Sequence, residues 1–360
     1  MKSPHKVLIF HTAFIGDIIL ALPLVQVLRE HLPDARIGFV AIPSAAGVLQ
    51  HHPAIDEIVI FDKKGRDRGI AGVMRLAARL RHGGYDLAII PHRSIRSALV
   101  VTLGRIPRRI GFSTSTGRFL LTDRVLYRPD LHEIERNLSL LQPLGIPVSG
   151  LQLPSIFPDQ SDREIVDREI RNRFGHRPLQ PMIAIAPGSV WNTKRWPSEK
   201  FGELAQILVD INFHIAFVGG EEDRALCEQI SLSQPREGIL NAAGQLSLLQ
   251  SAEIIRRSDV LVSNDSAPMH LGVAVRTPVV ALFGATVPEF GFAPRGDLDR
   301  IFQTTGLSCR PCSIHGGRKC PIGTFDCMLR IEPREVVAAI QDIIRTRLEQ
   351  TPAPGKEKID

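Results

Sequence analysis

The sequence predicts an α/β protein whose parallel, doubly wound sheets are divided between two domains. Three observations carry this. Short β-branched runs alternate with stretches of helical period through both halves of the chain. Several of those runs end in turns rich in glycine, hydroxyl and acidic residues. A proline-punctuated segment, residues 145–180, separates the halves as an interdomain linker, with one charged helix near 162–174.

The apolar run 6–10 reads as a buried first strand, the turn 11–17 follows, and residues 18–31 carry a helix with apolar positions 18, 19, 22, 25 and 28. The alternation continues with a strand at 36–41, a short helix at 44–50 and a strand at 57–61. A helix at 69–81, a strand at 87–90 and a helix at 94–103 come next. Residues 105–128 read as irregular and basic, either an anion-facing loop or a solvated edge, and 132–144 as a closing helix. The second half repeats the scheme: strands at 182–186, 214–218, 260–262 and 279–283, with helices at 199–209, 247–256 and after Ser266. A final amphipathic helix starts at Pro333, with Val336, Val337, Ile340, Ile343, Ile344 and Leu348 on one face.

Composition narrows the class. Hydrophobic residues at 44% and charged residues at 23% describe a globular chain, and no apolar run approaches the ~18–20 residues of a membrane span. Asp17 interrupts the apolar N-terminus, which argues against a signal peptide, and five cysteines do not make a secreted disulfide framework, so the cytoplasm is expected. The net charge of +6 without long like-charge runs argues against nucleic acid, and suits an anionic substrate or an acidic membrane face.

The strand-end turns hold the chemistry. After the first strand, Gly16 allows close approach of a ligand and Asp17 opens a helix, as a cap or as a general base at the sheet edge. The turn after 182–186 combines Gly188, Ser189 and Lys194, groups suited to phosphate oxygens, though not in the P-loop spacing. Gly219-Gly220 precede Glu221 and Glu222, acids placed for a ribose diol or simply for a helix start. Asp265 and Ser266 are candidate caps of a helix beginning Ala267-Pro268, with His270 one turn in; such an end attracts phosphate. Three strand-end turns in one domain thus carry groups for a nucleoside diphosphate.

With Phe14-Ile15-Gly16-Asp17, Pro187-Gly188-Ser189, Lys194-Arg195-Trp196-Pro197, Gly219-Gly220-Glu221 and residues 263–270 in order, the chain resembles the ADP-heptose:lipopolysaccharide heptosyltransferases from about residue 6 to 345. The segment Cys309, Cys312, Cys320, Cys327 is similar to that family as well. The resemblance implies the GT-B fold: two facing Rossmann-like domains with catalysis in the cleft, and a C-terminal helix returning to the first. With it the chain divides into 1–175, an acceptor domain with its linker from about 146; 176–332, a nucleotide-sugar donor domain; and 333–350, the docking helix; residues 351–360 lack apolar periodicity and are expected to be a disordered tail. It implies Asp17 as acceptor base, Lys194 on the donor phosphates with Gly16, Gly188 and Ser189 nearby, and Asp265, Ser266, Ala267 and His270 around the donor sugar and diphosphate. Glu221, or Glu222 beside it, is the implied ribose acid. His11, Ala13 and Val190 depart from the residues that many members carry.

The implied reaction is inverting transfer of heptose from ADP-heptose to the heptosyl-Kdo-lipid A inner core of lipopolysaccharide, by an enzyme peripheral to the cytoplasmic face of the inner membrane. No cofactor enters it, and no metal is needed if Lys194 and the helix end neutralise the diphosphate. Two alternatives stay open: a nucleotide-sugar epimerase or hydrolase on the same frame, and a non-catalytic two-lobed binding protein. The four clustered cysteines, separated by two, seven and six residues, are zinc ligands, packing thiols or a reversible disulfide pair.

Overall fold

Val7, Leu8, Ile9 and Phe10 are buried on both faces of their strand, as expected for the centre of a parallel sheet covered by helices on either side. The computed structural model describes residues 4–175, 180–232 and 238–350. They fall into two compact units: the chain up to Asp159 with Glu289–Phe292, and Gln160–Pro288 with the chain from Ala293.

The first unit contains β1 (Lys6–Phe10), α1 (Ile15–His31), β2 (Arg36–Ala41), α2 (Pro43–Ala46), β3 (Glu57–Ile60) and α3 (Gly69–Gly83). It continues through β4 (Leu87–Ile90), α4 (Ile95–Leu103), β5 (Arg108–Phe112), β6 (Asp123–Val125) and α5 (Glu133–Ser139). Its six strands are parallel, in the order β3-β2-β1-β4-β5-β6. The stretch read as irregular therefore contains two strands. Their apolar period is masked by arginines that the fold pairs: Arg108 bonds both carboxylate oxygens of Asp123 on the neighbouring strand, at 3.1 and 3.3 Å, and Arg109 donates to the carbonyls of Ile106 and Leu120.

The second unit contains α6 (Gln160–Phe174), β7 (Met182–Ala186), α7 (Ser198–Asp210), β8 (His214–Phe217), α8 (Arg224–Leu232), β9 (Ile239–Asn241) and α9 (Leu248–Arg257). After them come β10 (Val260–Asn264), α10 (Ala267–Ala274), β11 (Val279–Phe283), β12 (Arg300–Gln303), α11 (Asp326–Leu329) and α12 (Pro333–Gln350). Its sheet order is β12-β11-β10-β7-β8-β9, again all parallel. Renumbered from its own first strand, that is the same order as the first sheet. In both, the chain reverses its direction of winding beside the first strand. Such a switch point, at the carboxyl ends of the strands, is where open α/β sheets bind ligands.

Two expectations change. Helix α6, read as part of the linker belonging to the first domain, packs on α9 and β9 of the second unit. It buries Val166 and Ile170, and its Asp167 meets Arg257 at 2.8 Å. Helix α12, expected to return to the first domain, packs on α7 and beside β10 and β11. Val336, Val337, Ile340 and Ile343 enter the core of the second unit with Phe201, Leu204 and Leu208. Most of its apolar stripe is used within its own unit, and Leu348 at its end stays exposed. Lys200 of α7 anchors the approach to α12 through the Ile331 carbonyl and the Glu332 carboxylate, both at 3.0 Å. The disorder expected for 351–360 lies outside the described residues. Among those described, no helix is long and apolar enough to cross a membrane.

Candidate functional site

In the second unit, β7 and β10 are parallel neighbours with Ser263 opposite Ala186, so the turns that follow them lie side by side at the switch point. Asn264, fully buried, ties these turns together. Its amide nitrogen donates to the Pro187 carbonyl at 2.9 Å and its amide oxygen accepts the Trp196 N–H at 3.0 Å. Both ends of the side chain are satisfied, which is what allows an amide to be buried there.

Lys194 ends a 3-10 turn, 192–194, and its ammonium meets Asp265 Oδ2 at 2.6 Å and the Asp265 carbonyl at 3.3 Å. Lys194 and Asp265 are both largely buried, so the attraction is little screened by water. The hydroxyl of Thr286 donates to the same Asp265 oxygen at 2.6 Å. Arg310, from the first cysteine pair, holds the turn that carries Thr286: its guanidinium donates to the carbonyls of Gly284, Thr286 and Thr304. The amide of Cys312 donates to the Ala285 carbonyl at 2.9 Å. Farther along, Gly317 and Thr193 exchange two hydrogen bonds, at 2.7 and 3.0 Å. The cysteine segment is thus a strap across both partners of the ion pair. No three of its four sulfurs come within 4.8 Å of one another. Burial pushes the Cys327 thiol up to about 11.

Ser266 has the extended backbone of an N-cap, but its hydroxyl donates across to the Gly188 carbonyl at 3.3 Å instead of capping α10. The first turn of that helix, starting at Ala267 and Pro268, is therefore without a side-chain cap. His270 is buried within it. The buried Ser189 hydroxyl accepts the Trp191 amide at 3.4 Å, and its carbonyl accepts from Arg195. Gly188 leaves room for the Asp223 carboxylate: a Cβ there would stand 2.0 Å from its oxygen, which would have to move. Asp223 is half-buried, and burial raises its carboxyl above the usual range. The acid named from the sequence, Glu221, is exposed beside Gly244 and pairs weakly with Arg224 at 3.7 Å.

In the first unit, Gly16 and Asp17 occupy the first turn of α1. Asp17 Oδ2 accepts the Phe14 amide at 3.2 Å, so the carboxylate does cap the helix, and that bond fixes its rotamer at the strand's carboxyl edge. Glu133 of α5 lies close enough for its charge to feel Asp17. Burial raises the Glu133 carboxyl, opposed by Arg136 at 3.0 Å. His11 is buried with neither ring nitrogen hydrogen-bonded, and burial, then the neighbouring His92, lowers it to about 3. His92 falls to about 4, by burial and then the charges of Lys63 and Arg93. Two neutral imidazoles thus sit near the base candidate.

The structure brings Lys194, Asp265, Ser266, Gly188 and Ser189 together at one switch point, and places Gly16 and Asp17 at the other. Asn264, Thr286, Arg310, Asp223 and Glu133 escaped the sequence reading. Asn264 had a signal, a polar residue closing an apolar strand, and so had Asp223, in the acidic turn after β8; Thr286 and Arg310 come from distant loops and Glu133 from the first turn of α5.

The family model for glycosyltransferase family 9 (heptosyltransferase) matches residues 73–319. Lipopolysaccharide heptosyltransferase 2 of Escherichia coli (strain K12) is 28% identical over 293 residues, covering 79% of this chain and 84% of that protein. Among solved structures, a glycosyl transferase family 9 protein from Veillonella parvula DSM 2008 superposes with a TM-score of 0.86 at 23% identity, covering 96% of this chain and 99% of its own. The E. coli ADP-heptose lps heptosyltransferase II superposes with a TM-score of 0.79 at 23% identity, covering 95% and 99%.

Proposed function

The chain belongs to glycosyltransferase family 9, the heptosyltransferases, and from that premise we propose that it moves a heptose from ADP-L-glycero-D-manno-heptose to the inner core of lipopolysaccharide, heptosyl-Kdo-lipid A. This acceptor puts the enzyme at the cytoplasmic face of the inner membrane as a peripheral protein. The observation that carries the reading is the Lys194–Asp265 pair at the switch point of the second sheet, beside a helix end without a side-chain cap.

The second unit holds the donor. Its diphosphate gains negative charge as the bond to the anomeric carbon breaks. Lys194 and the amides at the start of α10 meet that charge without reorganising. Asp265 keeps Lys194 pointed at the site while no donor is bound, and Thr286 holds Asp265. Gly188 and Ser189 border the site beside Ser266, whose hydroxyl donates to the Gly188 carbonyl, and His270 is buried one turn into the helix. Glu221 or the half-buried Asp223 takes the ribose diol.

The first unit supplies the base. Asp17 accepts the proton of the acceptor hydroxyl as its oxygen attacks the anomeric carbon from the side opposite ADP, which inverts the configuration. A carboxylate with its rotamer fixed by the Phe14 amide is oriented for that task. Asp17→Asn tests the assignment: ADP affinity stays near its original value while turnover falls roughly 10²–10⁴-fold. Near-normal turnover in that variant leaves Asp17 as a helix cap only.

A further inference from the structure

We infer that the outward face of α3, α4 and the 3-10 turn 118–120 docks the first unit on an anionic lipid bilayer. Helix α4 buries Ser97, Ala98, Val100 and Val101 and leaves Ile95, Leu99 and Leu103 exposed at four-residue spacing, one stripe along its outer side. On α3, Val73, Leu76 and Leu80 face the core, while Ile70 is 82% exposed and Met74 52%. Phe119, on the turn, is 65% exposed.

These elements lie side by side. A Cβ at Gly104, which closes α4, would stand 3.2 Å from Leu80 Cβ on α3. One at Gly117 would stand 2.7 Å from Ala98 Cβ, and the Ile95 amide donates to Thr116 Oγ1 at 2.9 Å. The apolar side chains therefore belong to one surface, with α4 between α3 and the turn.

Its charge is one-sided. From Asp62 to Arg118 the sequence carries 13 lysines and arginines against 3 acids, and none of those acids lies beyond Asp86. Of the three, Asp67 is buried and bound by Arg75 at 3.2 Å, and Asp86 is spent on the amides of His5 and Lys6. Arg68, Arg96, Arg105 and Arg118 are exposed and make no ion pair among the described residues.

The occupant follows from how the two kinds of side chain are mixed. A protein partner of ordinary strength needs a contiguous apolar centre with charges at the rim. Here large apolar groups alternate with arginines over the outer sides of two helices. That pattern suits an interface in which apolar groups enter the acyl boundary and cations meet phosphate headgroups. The docking face stands on exposure and charge alone, so it holds whether or not the transfer reaction is as proposed.

The test is sedimentation of the full chain with vesicles, without donor or acceptor. Vesicles of phosphatidylcholine with about one-third phosphatidylglycerol carry the protein down; phosphatidylcholine alone does so far less, and added salt weakens the binding. Arg96→Glu with Arg118→Glu lowers binding at least roughly 20-fold, from about fivefold per cation removed. Ile95→Glu with Leu99→Glu lowers it at least roughly tenfold. Arg163→Glu with Arg168→Glu makes the same change of net charge on the exposed side of α6 and leaves binding within about twofold. Melting curves show that each variant is folded, and Ile95→Gln with Leu99→Gln replaces the glutamate pair if that pair melts early. Three results overturn the inference: no preference of the native chain for the acidic vesicles, an equal loss in the α6 control, or undiminished binding by the folded apolar variants.

Discussion

Thr286→Val deletes one hydroxyl and keeps the shape of a side chain that is 2% exposed. Its proton is donated at 2.6 Å to Asp265 Oδ2, the oxygen that also receives Lys194 at 2.6 Å. Asp265 is only 7% exposed, so water replaces the lost donor poorly. A hydrogen bond to a charged group is worth about 1.5–3 kcal/mol, and that is the expected loss of stability. For a unit of this size it lowers Tm by roughly 3–12 °C. The carboxylate then leans harder on Lys194, which becomes less ready to turn to a diphosphate. If half the loss is felt there, ADP affinity falls roughly 4–12-fold while adenosine, which lacks the diphosphate, binds as before. Calorimetric titration with both ligands, beside thermal melts, reads the effect. Thr286→Ser restores both quantities because it restores the donor. Unchanged melting and unchanged ADP affinity in the valine variant would refute the view that Thr286 holds the pair; a serine variant as weak as valine would do the same.

Other perturbations reach different parts of the molecule. Lys194→Ala strips a cation from the site and leaves Asp265 without its partner, so ADP binding weakens at least roughly tenfold while adenosine binding holds; equal losses for both ligands would remove Lys194 from the diphosphate. His11 and His92 have folded pKa values of about 3 and about 4, below the ordinary 6.5. Between about pH 6.5 and about 4 the unfolded chain therefore binds more protons than the native one. The stability tied to these imidazoles is intact above that window and drains as pH falls through it. His11→Gln should flatten the dependence seen in denaturant titrations across the window, and an unaltered slope would show that His11 does not titrate as its burial implies. Ile340 is fully buried where α12 meets the core of the second unit, and Ile340→Ala should cost about 2–5 kcal/mol in urea unfolding; a cost under about 1 kcal/mol would mean that α12 is only loosely docked.

The local parts of this protein are written in the sequence. Continuous apolar runs such as Val279–Phe283 specify strands buried on both faces, and the glycine, hydroxyl and acidic residues that follow them specify the turns. Because parallel strands align their carboxyl ends at one edge, those turns were recognisable as candidate places for a ligand, with Asp17, Ser189, Lys194 and Asp265 on them, while the roles of these residues followed only from the family resemblance. Strands β5 and β6 were hidden because paired arginines break their apolar period, and β9 and β12 because each offers only two adjacent apolar residues, Ile239-Leu240 and Ile301-Phe302. Partner choice was equally out of reach. An amphipathic helix declares that one face is covered, not by what, and α12 covers its face within its own unit. The contacts that set the site join residues far apart in the chain: Asn264 with Pro187, Thr286 with Asp265, Arg310 with Gly284. A side chain's hydrogen-bonding capacity is local information, but the identity of the group it meets is decided only when distant turns are packed against each other. So the sequence by itself determined most of the strands, the polar turns at their carboxyl ends and the candidate charges, while the tertiary structure completed the sheets and decided which groups hold those charges in place.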